Sequence, residues 1–580
     1  MKRHNKRTSK FGLEREFSLQ RYLESLATDL EISPSLHNVV SGALRARRYD
    51  QVKDLYDLHA APVSNPDADT YYRNAVYFAA FRKIPLKGSD TVKPAVEKYF
   101  ASEQQCKETN RTMPRLWRSM PYGRILARMQ DVIHEIISGV SAEDILSGCR
   151  HGPGMSVDLP KDAGTTPFYK WYSGNYGVSD RAYPYLVAAL VEETRAINRV
   201  ASGYNESRLA FVPKTMWTDR SINIEPRGNV FLQLGVGDAL ARAFLDNTGL
   251  SIWDQSLNQA MARHGSIHGN YATLDLSSAS DTIAWGFVRT AFSGSMESLR
   301  IFDLMDALRS HKVEFKGKII YPEKFASMGN GYIFPLQCIL FYALCRSIMD
   351  LSGIPGMICV YGDDIIIPTD AYHLVTEALQ VLGFSVNPEK SFHTGPFRES
   401  CGADFWNGTD VRPPTTSKIP TRVWHVYTML NNLQHKVYAP TAWDYLHSLI
   451  PKELRLYGPP SSDDMDSWIQ VQVPDLYALG ALSPKGSKHF NLQCLHHSRI
   501  QHIAKSYRHE FARDEFAEDL HLELKLSQMG VGSELSPVDV SRSRGYDVNR
   551  RKQVRTSVRR TPLRIEGSPI VGIAPRKSEK

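Results

Sequence analysis

The chain has 580 residues, 42% hydrophobic and 23% charged, with a formal net charge of +8. That composition supports several subdomains around a sizeable buried core and excludes a disordered polyelectrolyte. Its seven cysteines are scattered with no CxxC pair, which argues against a disulfide framework or structural zinc and for a reducing compartment.

No apolar core follows the charged N-terminus, Met1 to Lys10, so no secretory signal is expected. Apolar stretches such as 338–345 read as too short to span a bilayer. Charge is uneven along the chain. Residues 1–10 hold five Lys/Arg and no acid, and 541–580 hold twelve against three acids, which leaves the body, 11–540, near −6. Both ends read as disordered basic arms that hold a polyanion through counterion release, or simply as solvated ends. Overall basicity therefore says little about what the body binds.

In chain order, 11–150 reads mostly as helices, with a clear amphipathic stretch at 124–138. Cys149-Arg-His-Gly-Pro-Gly-Met155 is a loop, as its Gly and Pro require. A helix is expected around 184–200, a strand at 208–212, and helices around 230–247 and 334–352, the last opening with Pro335 at its first position. Between 271 and 392 the pattern is strand, helix, hairpin, helix, strand. The helix at 371–382 carries Leu374, Ala378, Val381 and Leu382 on one face, with Gly383 as its C-cap. This order implies an α+β fold, an antiparallel sheet with helices on one side. Residues 411–540 return to helices and loops.

Chemistry concentrates at Tyr361-Gly362-Asp363-Asp364, which lies between the apolar runs Met357-Ile-Cys-Val360 and Ile365-Ile-Ile367. Gly362 suits the first central position of a type II′ turn, which needs φ > 0. Two adjacent carboxylates at a hairpin tip repel one another, and a hard divalent cation removes the conflict. Upstream, Asp275 falls at the end of an expected strand, and Asp281 precedes an expected helix. A two-metal phosphoryl-transfer site needs carboxylates from separate strands around ions roughly 3.5–4 Å apart, a demand that Asp275, Asp363 and Asp364 meet. Taken singly, each of these acids reads equally as a turn or helix-cap residue.

Other segments fit around that centre. Ser327-Met328-Gly329-Asn330-Gly331 is a donor-rich turn before a helix, suited to backbone or phosphate contact or to capping alone. Lys214 and Arg220, close together after a strand, are able to grip a triphosphate, although surface cations are common. Lys390, on a strand beside the cleft, is placed to donate a proton to leaving pyrophosphate, or is a solvated edge lysine. Phe397-Arg398-Glu-Ser-Cys-Gly402 forms a turn between strands.

The order of these segments resembles motifs F, A, B, C, D and E of the right-hand palm polymerases. Several strings are similar to the replicase β subunit of the single-stranded RNA bacteriophages, the group of Qβ and MS2. They are Phe231-Leu-Gln-Leu-Gly-Val-Gly237, Asp254-Gln-Ser-Leu-Asn-Gln259, Leu274-Asp-Leu-Ser-Ser-Ala-Ser-Asp281, Ser327-Met-Gly-Asn-Gly-Tyr332, Tyr361-Gly-Asp-Asp-Ile-Ile366 and Gly395-Pro-Phe-Arg-Glu-Ser-Cys-Gly402. The match runs from about 211 to 411, with little motif support in the first 140 residues or the last 130.

The resemblance implies an RNA-directed RNA polymerase with fingers, palm and thumb. Residues 1–260 would hold the N-terminal region and fingers (motif F at 212–226), and 261–410 the palm with part of the fingers inserted. Residues 411–540 would be the thumb, and 541–580 a basic disordered tail. Asp275, Asp363 and Asp364 would bind two Mg²⁺ ions, with Mn²⁺ as a substitute, and Lys390 would be the general acid. Lys214 and Arg220 would hold the triphosphate, and Asp281 would meet the ribose 2′-hydroxyl. Motif B departs from the wider pattern at Tyr332-Ile-Phe-Pro-Leu-Gln337, which leaves Ser327, Asn330 or Gln337 as the partner of Asp281. Implied partners are an RNA template and product, ribonucleoside triphosphates, host elongation factors Tu and Ts and a ribosomal protein, in the cytoplasm of a bacterial host and without a membrane. Two rivals share features: another palm nucleotidyltransferase such as a reverse transcriptase, and a non-enzymatic RNA-binding protein held by its basic tails.

Overall fold

Successive strand side chains point to opposite faces, so the run Ile365-Ile366-Ile367 demands burial on both sides of a sheet. In the computed structural model it forms the middle of a three-stranded antiparallel sheet, ordered Tyr271–Leu274, Asp364–Pro368, Cys359–Tyr361. The structure describes residues 12–471, except 87, 89, 160–164, 166–169, 172–173, 192–196 and 461–464, together with the strands at 482–484, 489–500 and 553–564. Ile365 stands opposite Leu274 and Val360, and these join Ile367 in the main core. Ile366 faces the other way, packing with Cys359 and with Ala262 of the Ser256–His268 helix, and Phe405 closes over them. The expectation of helices on one face alone is therefore corrected: both faces are covered, as an unbroken apolar run requires.

The main core is organised by the Ile333–Ser352 helix, packed against Tyr122–Ile137 and Arg227–Thr248. Its 20 residues are long and apolar enough to cross a membrane by length and composition, unlike the short stretch read from sequence, but 78% of its most apolar window is buried inside the protein. A helix that is apolar all round and enclosed in this way is a core helix. Pro335 is its third residue rather than its first, a place still free of an intrahelical N–H bond. The first part of the helix expected around 184–200 is Tyr183–Ala189, and 192–196 lie outside the described residues. Of the face expected on the Tyr372–Val381 helix, Ala378 and Leu382 are buried, but Val375 and Leu379 join them in place of Leu374, which is 44% exposed, and the half-buried Val381.

A four-stranded sheet, ordered Asp219–Ile224, Glu206–Pro213, Lys312–Phe315, Lys318–Ile320, packs Leu209 and Val313 against Tyr99 of the Val92–Trp117 helix. A second core joins distant parts of the chain. Tyr22, Leu26, Val40 and Phe78 from the N-terminal helices pack with Val426, Leu430 and Leu446 from Val423–Lys436 and Pro440–Ser448. The N-terminal region and the first part of the expected thumb therefore share one hydrophobic body, which a partition in chain order does not convey. Asp29 ties them further, accepting from the N–H groups of Thr441 (3.1 Å) and Ala442 (2.8 Å) in the first turn of Pro440–Ser448.

Within 411–540, read as helices and loops, the strand His489–Ile500 pairs along its length with Gln553–Arg564. Part of the tail expected to be disordered is thus a strand; residues 1–11, 541–552 and 565–580 lie outside the described residues. The six cysteines described are free thiols.

Replacing Asp29 with Ala removes an N-terminal cap that bridges chain segments, and is expected to lower unfolding free energy by about 1 kcal/mol in urea titrations, with Asn retaining most of the stability.

Candidate active site

Gly362 is the hinge of the hairpin that carries the acidic pair. Tyr361 and Asp364 pair across a two-residue loop, Gly362-Asp363, and only Gly362 of the two has positive φ, at +65°, as the type II′ turn requires. Its N–H donates to Cys338 Sγ at 3.1 Å, and a Cβ there would sit 2.5 Å from the Phe334 ring. Phe334 in turn meets Tyr361 edge-on, with centroids 5.0 Å apart. The tip is therefore seated on the first turns of the core helix.

Asp275 interrupts the strand between Tyr271–Leu274 and Leu276–Ser277 and is enclosed by the segment that carries Lys390. Asn387 donates to it twice, through its side-chain amide to Oδ2 (2.9 Å) and its backbone N–H to the carbonyl (2.9 Å), and Asp275 N–H donates to Ser391 Oγ at 3.1 Å. Lys390 Nζ lies 3.9 Å from Asp275 Oδ1 and 3.6 Å from Glu399. It stands in a turn after the short strand Ser385–Val386 rather than on a strand, which corrects the sequence reading.

The electrostatics mark these groups as one cluster. Burial and the charges of Asp363 and Asp275 push the Asp364 carboxyl up to about 7. Burial also raises Asp275, with Lys390 and Asn387 opposing and Asp363 adding to it. The Glu399 charge, followed by those of Asp275 and Asp364, outweighs burial and holds Lys390 above its ordinary value. Lys214 is lowered, first by the protein around its stem and then by Arg220, Lys98 and Lys390. Lys390 and Lys214, from separate segments, thus both feel the Asp275 carboxylate.

The strand Asp219–Ile224 connects the remaining predicted residues. Arg220 pairs in register with Val212 and projects to solvent near Lys214. The Ser221 hydroxyl donates to Asp281 Oδ2 at 3.1 Å. Asn223 holds the Ser327–Gly331 loop through its N–H to the Met328 carbonyl (2.8 Å), and Gly329 packs so closely that a Cβ there would lie 2.1 Å from the Asn223 oxygen. Gly329 also has φ +109°, a region that disfavours any other residue. Ser327 and Asn330 are buried, and Asn330 Oδ1 accepts from Tyr332 N–H at 3.0 Å. Its amide nitrogen, beside the Tyr332 hydroxyl, makes no well-formed hydrogen bond. Gln337 is buried in the core helix.

Asp275, Asp363, Asp364, Lys390 and Lys214 form one coupled group, and Asp281 stands apart, its carboxylate engaged by Ser221 and Lys324. Among the described residues no three Asp, Glu, His or Cys side chains are grouped closely enough to hold a metal ion. Asn387 and Lys390 hold Asp275, and mutual repulsion disfavours a tighter grouping of the carboxylates. The donor set itself fits a hard divalent cation: all oxygen and net negative, with Asp364 raised by burial and the Asp363 charge. Sequence reading missed Asn387, Ser391, Glu399 and Lys324. Asn387 and Ser391 flank Lys390 and Glu399 lies inside the Phe397–Gly402 turn, but nothing in their type announces a contact. Arg398 is no cleft cation: it is fully buried, donates to the carbonyls of Tyr271, Gly395 and Phe397, and burial draws it down to about 10.

A family model of the RNA replicase β-chain matches residues 31–565. The chain belongs to the RNA replicase β-chain family. This replicase chain is 32% identical over 466 residues to the RNA-directed RNA polymerase subunit beta of Enterobacteria phage SP, covering 78% of each. It is 33% identical to that of Escherichia virus Qbeta over 413 residues (68% of this chain, 66% of the other), and 38% identical to the beta chain of Escherichia phage MS2 over 281 (46% and 49%). Among solved structures it is similar to the RNA-dependent RNA polymerases of BmCPV (TM-score 0.36, 10% identity, 56% of this chain and 33% of that) and of a human picorbirnavirus (TM-score 0.31, 11%, 42% and 55%). The replicase is an RNA-directed RNA polymerase, a nucleotidyltransferase acting on RNA and nucleotides in phage RNA replication. That sets aside the reverse-transcriptase and non-enzymatic readings.

Gly362→Ala in the replicase places a methyl against Phe334 at a positive φ. The expected result is a loss of about 1–3 kcal/mol of stability and a polymerase rate reduced about tenfold or more, read by thermal melting and nucleotide incorporation.

Proposed function

We propose that Asp275, Asp363 and Asp364 form the nucleotidyl-transfer centre of a right-hand polymerase, with the central sheet as palm, the four-stranded sheet and its flanking helices as fingers, and the helices after 411 as thumb. The observation that carries this reading is geometric: strand pairing sets Asp275 beside the Asp363-Asp364 hairpin tip, with Lys390 Nζ 3.9 Å from Asp275 Oδ1. Structural acids are normally paired off one by one, whereas here Asp275, Asp363 and Asp364 lie together with Lys390 as their shared cation.

The reaction joins the 3′-oxygen of the growing RNA to the α-phosphorus of a templated ribonucleoside triphosphate, and the bond to pyrophosphate breaks. The three carboxylates would hold two Mg²⁺ ions, with Mn²⁺ as a substitute, which lower the pKa of the attacking hydroxyl and neutralise the triphosphate. Lys214 and Arg220 grip the β- and γ-phosphates as the substrate enters, and the proximity of Lys214 to the carboxylates orients the α-phosphate toward the hairpin. Lys390, kept charged by Glu399, donates the proton that the departing pyrophosphate takes up. Asp281 accepts from the 2′-hydroxyl. Ser327, Asn330 or Gln337 is its partner, with Gly329 allowing the loop's close approach. The family resemblance extends the proposal to primer-independent initiation in the bacterial cytoplasm with host elongation factors Tu and Ts and a ribosomal protein.

Asp363→Asn is expected to abolish Mg²⁺-dependent incorporation while template affinity in filter binding stays within about threefold, since phosphate contacts by distant cations dominate that affinity. Substantial activity in this variant removes the hairpin from the metal site. Lys390→Met is expected to lower kcat about 100-fold with KM for nucleotide little changed, in single-nucleotide incorporation kinetics. An unchanged kcat rules it out as the acid.

A further inference from the structure

Lys324 is one of 70 Lys and Arg residues, and no motif marks it. Its side chain is 1% exposed. The ammonium lies 2.9 Å from Asp281 Oδ1, 3.2 Å from Glu103 Oε1 and 3.7 Å from the centroid of the Tyr99 ring. An ammonium taken out of water is costly unless anions meet it, and here two carboxylates and a ring face do.

The support behind it is as specific as the contact. Glu103 Oε2 accepts the N–H groups of Glu323 (2.7 Å) and Lys324 (3.4 Å), so one acid holds both the backbone and the charge of the lysine. Two turns along the same Val92–Trp117 helix, the Asn110 amide donates to the Glu323 carbonyl at 2.9 Å. Cys106 donates its S–H to the Asp281 carbonyl at 3.4 Å. The helix therefore braces Asp281 through both its side chain and its main chain, although the first 140 residues carry no recognisable motif.

Each carboxylate oxygen offers two acceptor directions. Lys324 fills one on Oδ1, and Ser221, the neighbour of Arg220, fills one on Oδ2. The carboxylate is fixed against rotation and yet keeps an unfilled direction on each oxygen. Glu103 and Asp281 together outnumber the single lysine, so the cluster remains net negative.

We infer that Lys324 is a positioning residue for ribose selection: with Ser221 it locks the Asp281 carboxylate so that its open acceptor direction meets the 2′-hydroxyl of the incoming nucleotide. This rests on the reading of Asp281 as the ribose contact. A site that holds an acceptor rigidly for a hydroxyl rejects the analogue lacking it, because the acceptor is then left unpaired, whereas a carboxylate free to turn finds other partners.

The test is the ratio of kcat/KM for ribo- over 2′-deoxyribonucleoside triphosphates on one RNA template, using the full chain supplemented with host extract. Lys324→Met is expected to lower the ratio about tenfold or more, through a raised ribonucleotide KM with deoxyribonucleotide kinetics within about threefold. Ser221→Ala is expected to lower it about threefold, and Ser221→Thr, which keeps the hydroxyl, to restore it. The serine pair carries the test if Lys324→Met does not fold. Equal losses for both nucleotides, or an unchanged ratio in Lys324→Met and Ser221→Ala, overturn the inference. Asp281→Ala separates the two layers: if it lowers the ratio and the other variants do not, only the positioning role falls, and if it leaves the ratio intact the ribose reading itself falls.

Discussion

Repulsion among three carboxylates is the constraint on which the rest of the site depends. Asp363 and Asp364 are forced together by a two-residue loop, and Asp275 is brought to them by the pairing of its strand with Asp364–Pro368. Burial and the Asp363 charge drive Asp364 up to about 7 against the Cys401 N–H, while Lys390 and Asn387 offset the charge of Asp275 only in part. The surrounding structure holds the arrangement in place: an all-apolar strand buried on both faces, a hairpin tip seated on Phe334 and Cys338, and a loop wrapped round Asp275 by Asn387 and Ser391. A rigid frame around groups that repel one another is what a centre for binding cations and moving phosphoryl groups requires.

Around that centre the strand Asp219–Ile224 acts as a spine. Residues close together on it serve different parts of the site: Arg220 reaches outward beside Lys214, Ser221 holds Asp281, and Asn223 fixes the Ser327–Gly331 loop. A strand does this well because its side chains alternate at fixed spacing, so one rigid element sets three distances together. The helix Val92–Trp117 supports the spine from behind with Tyr99, Glu103 and Cys106.

The acidic hairpin was legible in the sequence because its signals are local: Gly at the turn, carboxylates beside it and apolar runs on either side. The strand carrying Asp275 and the helices at 227–248 and 333–352 were legible for the same reason, local signals within one segment. What escaped is non-local. A buried lysine at 324 looks like any surface lysine until Glu103, more than 200 residues away, is packed against it. The joint core of N-terminal helices with Val423–Lys436 has no signature in either segment alone. Lys390 was assigned to a strand because Ser385-Val386 reads as one, but Asn387-Pro388 ends it in a turn. The face of Tyr372–Val381 was partly misjudged because Leu374 and Val375 are equally apolar, and only packing decides between them.

The central claim, that Asp275, Asp363 and Asp364 together hold divalent cations, is tested most directly by anomalous diffraction from crystals of the replicase grown with template, product strand and a non-hydrolysable ribonucleotide in Mn²⁺. The account predicts anomalous peaks bridging the nucleotide phosphates and these three carboxylates, with none at Asp281. Peaks elsewhere, or an ordered nucleotide in the cleft with no metal at the three acids, would contradict it.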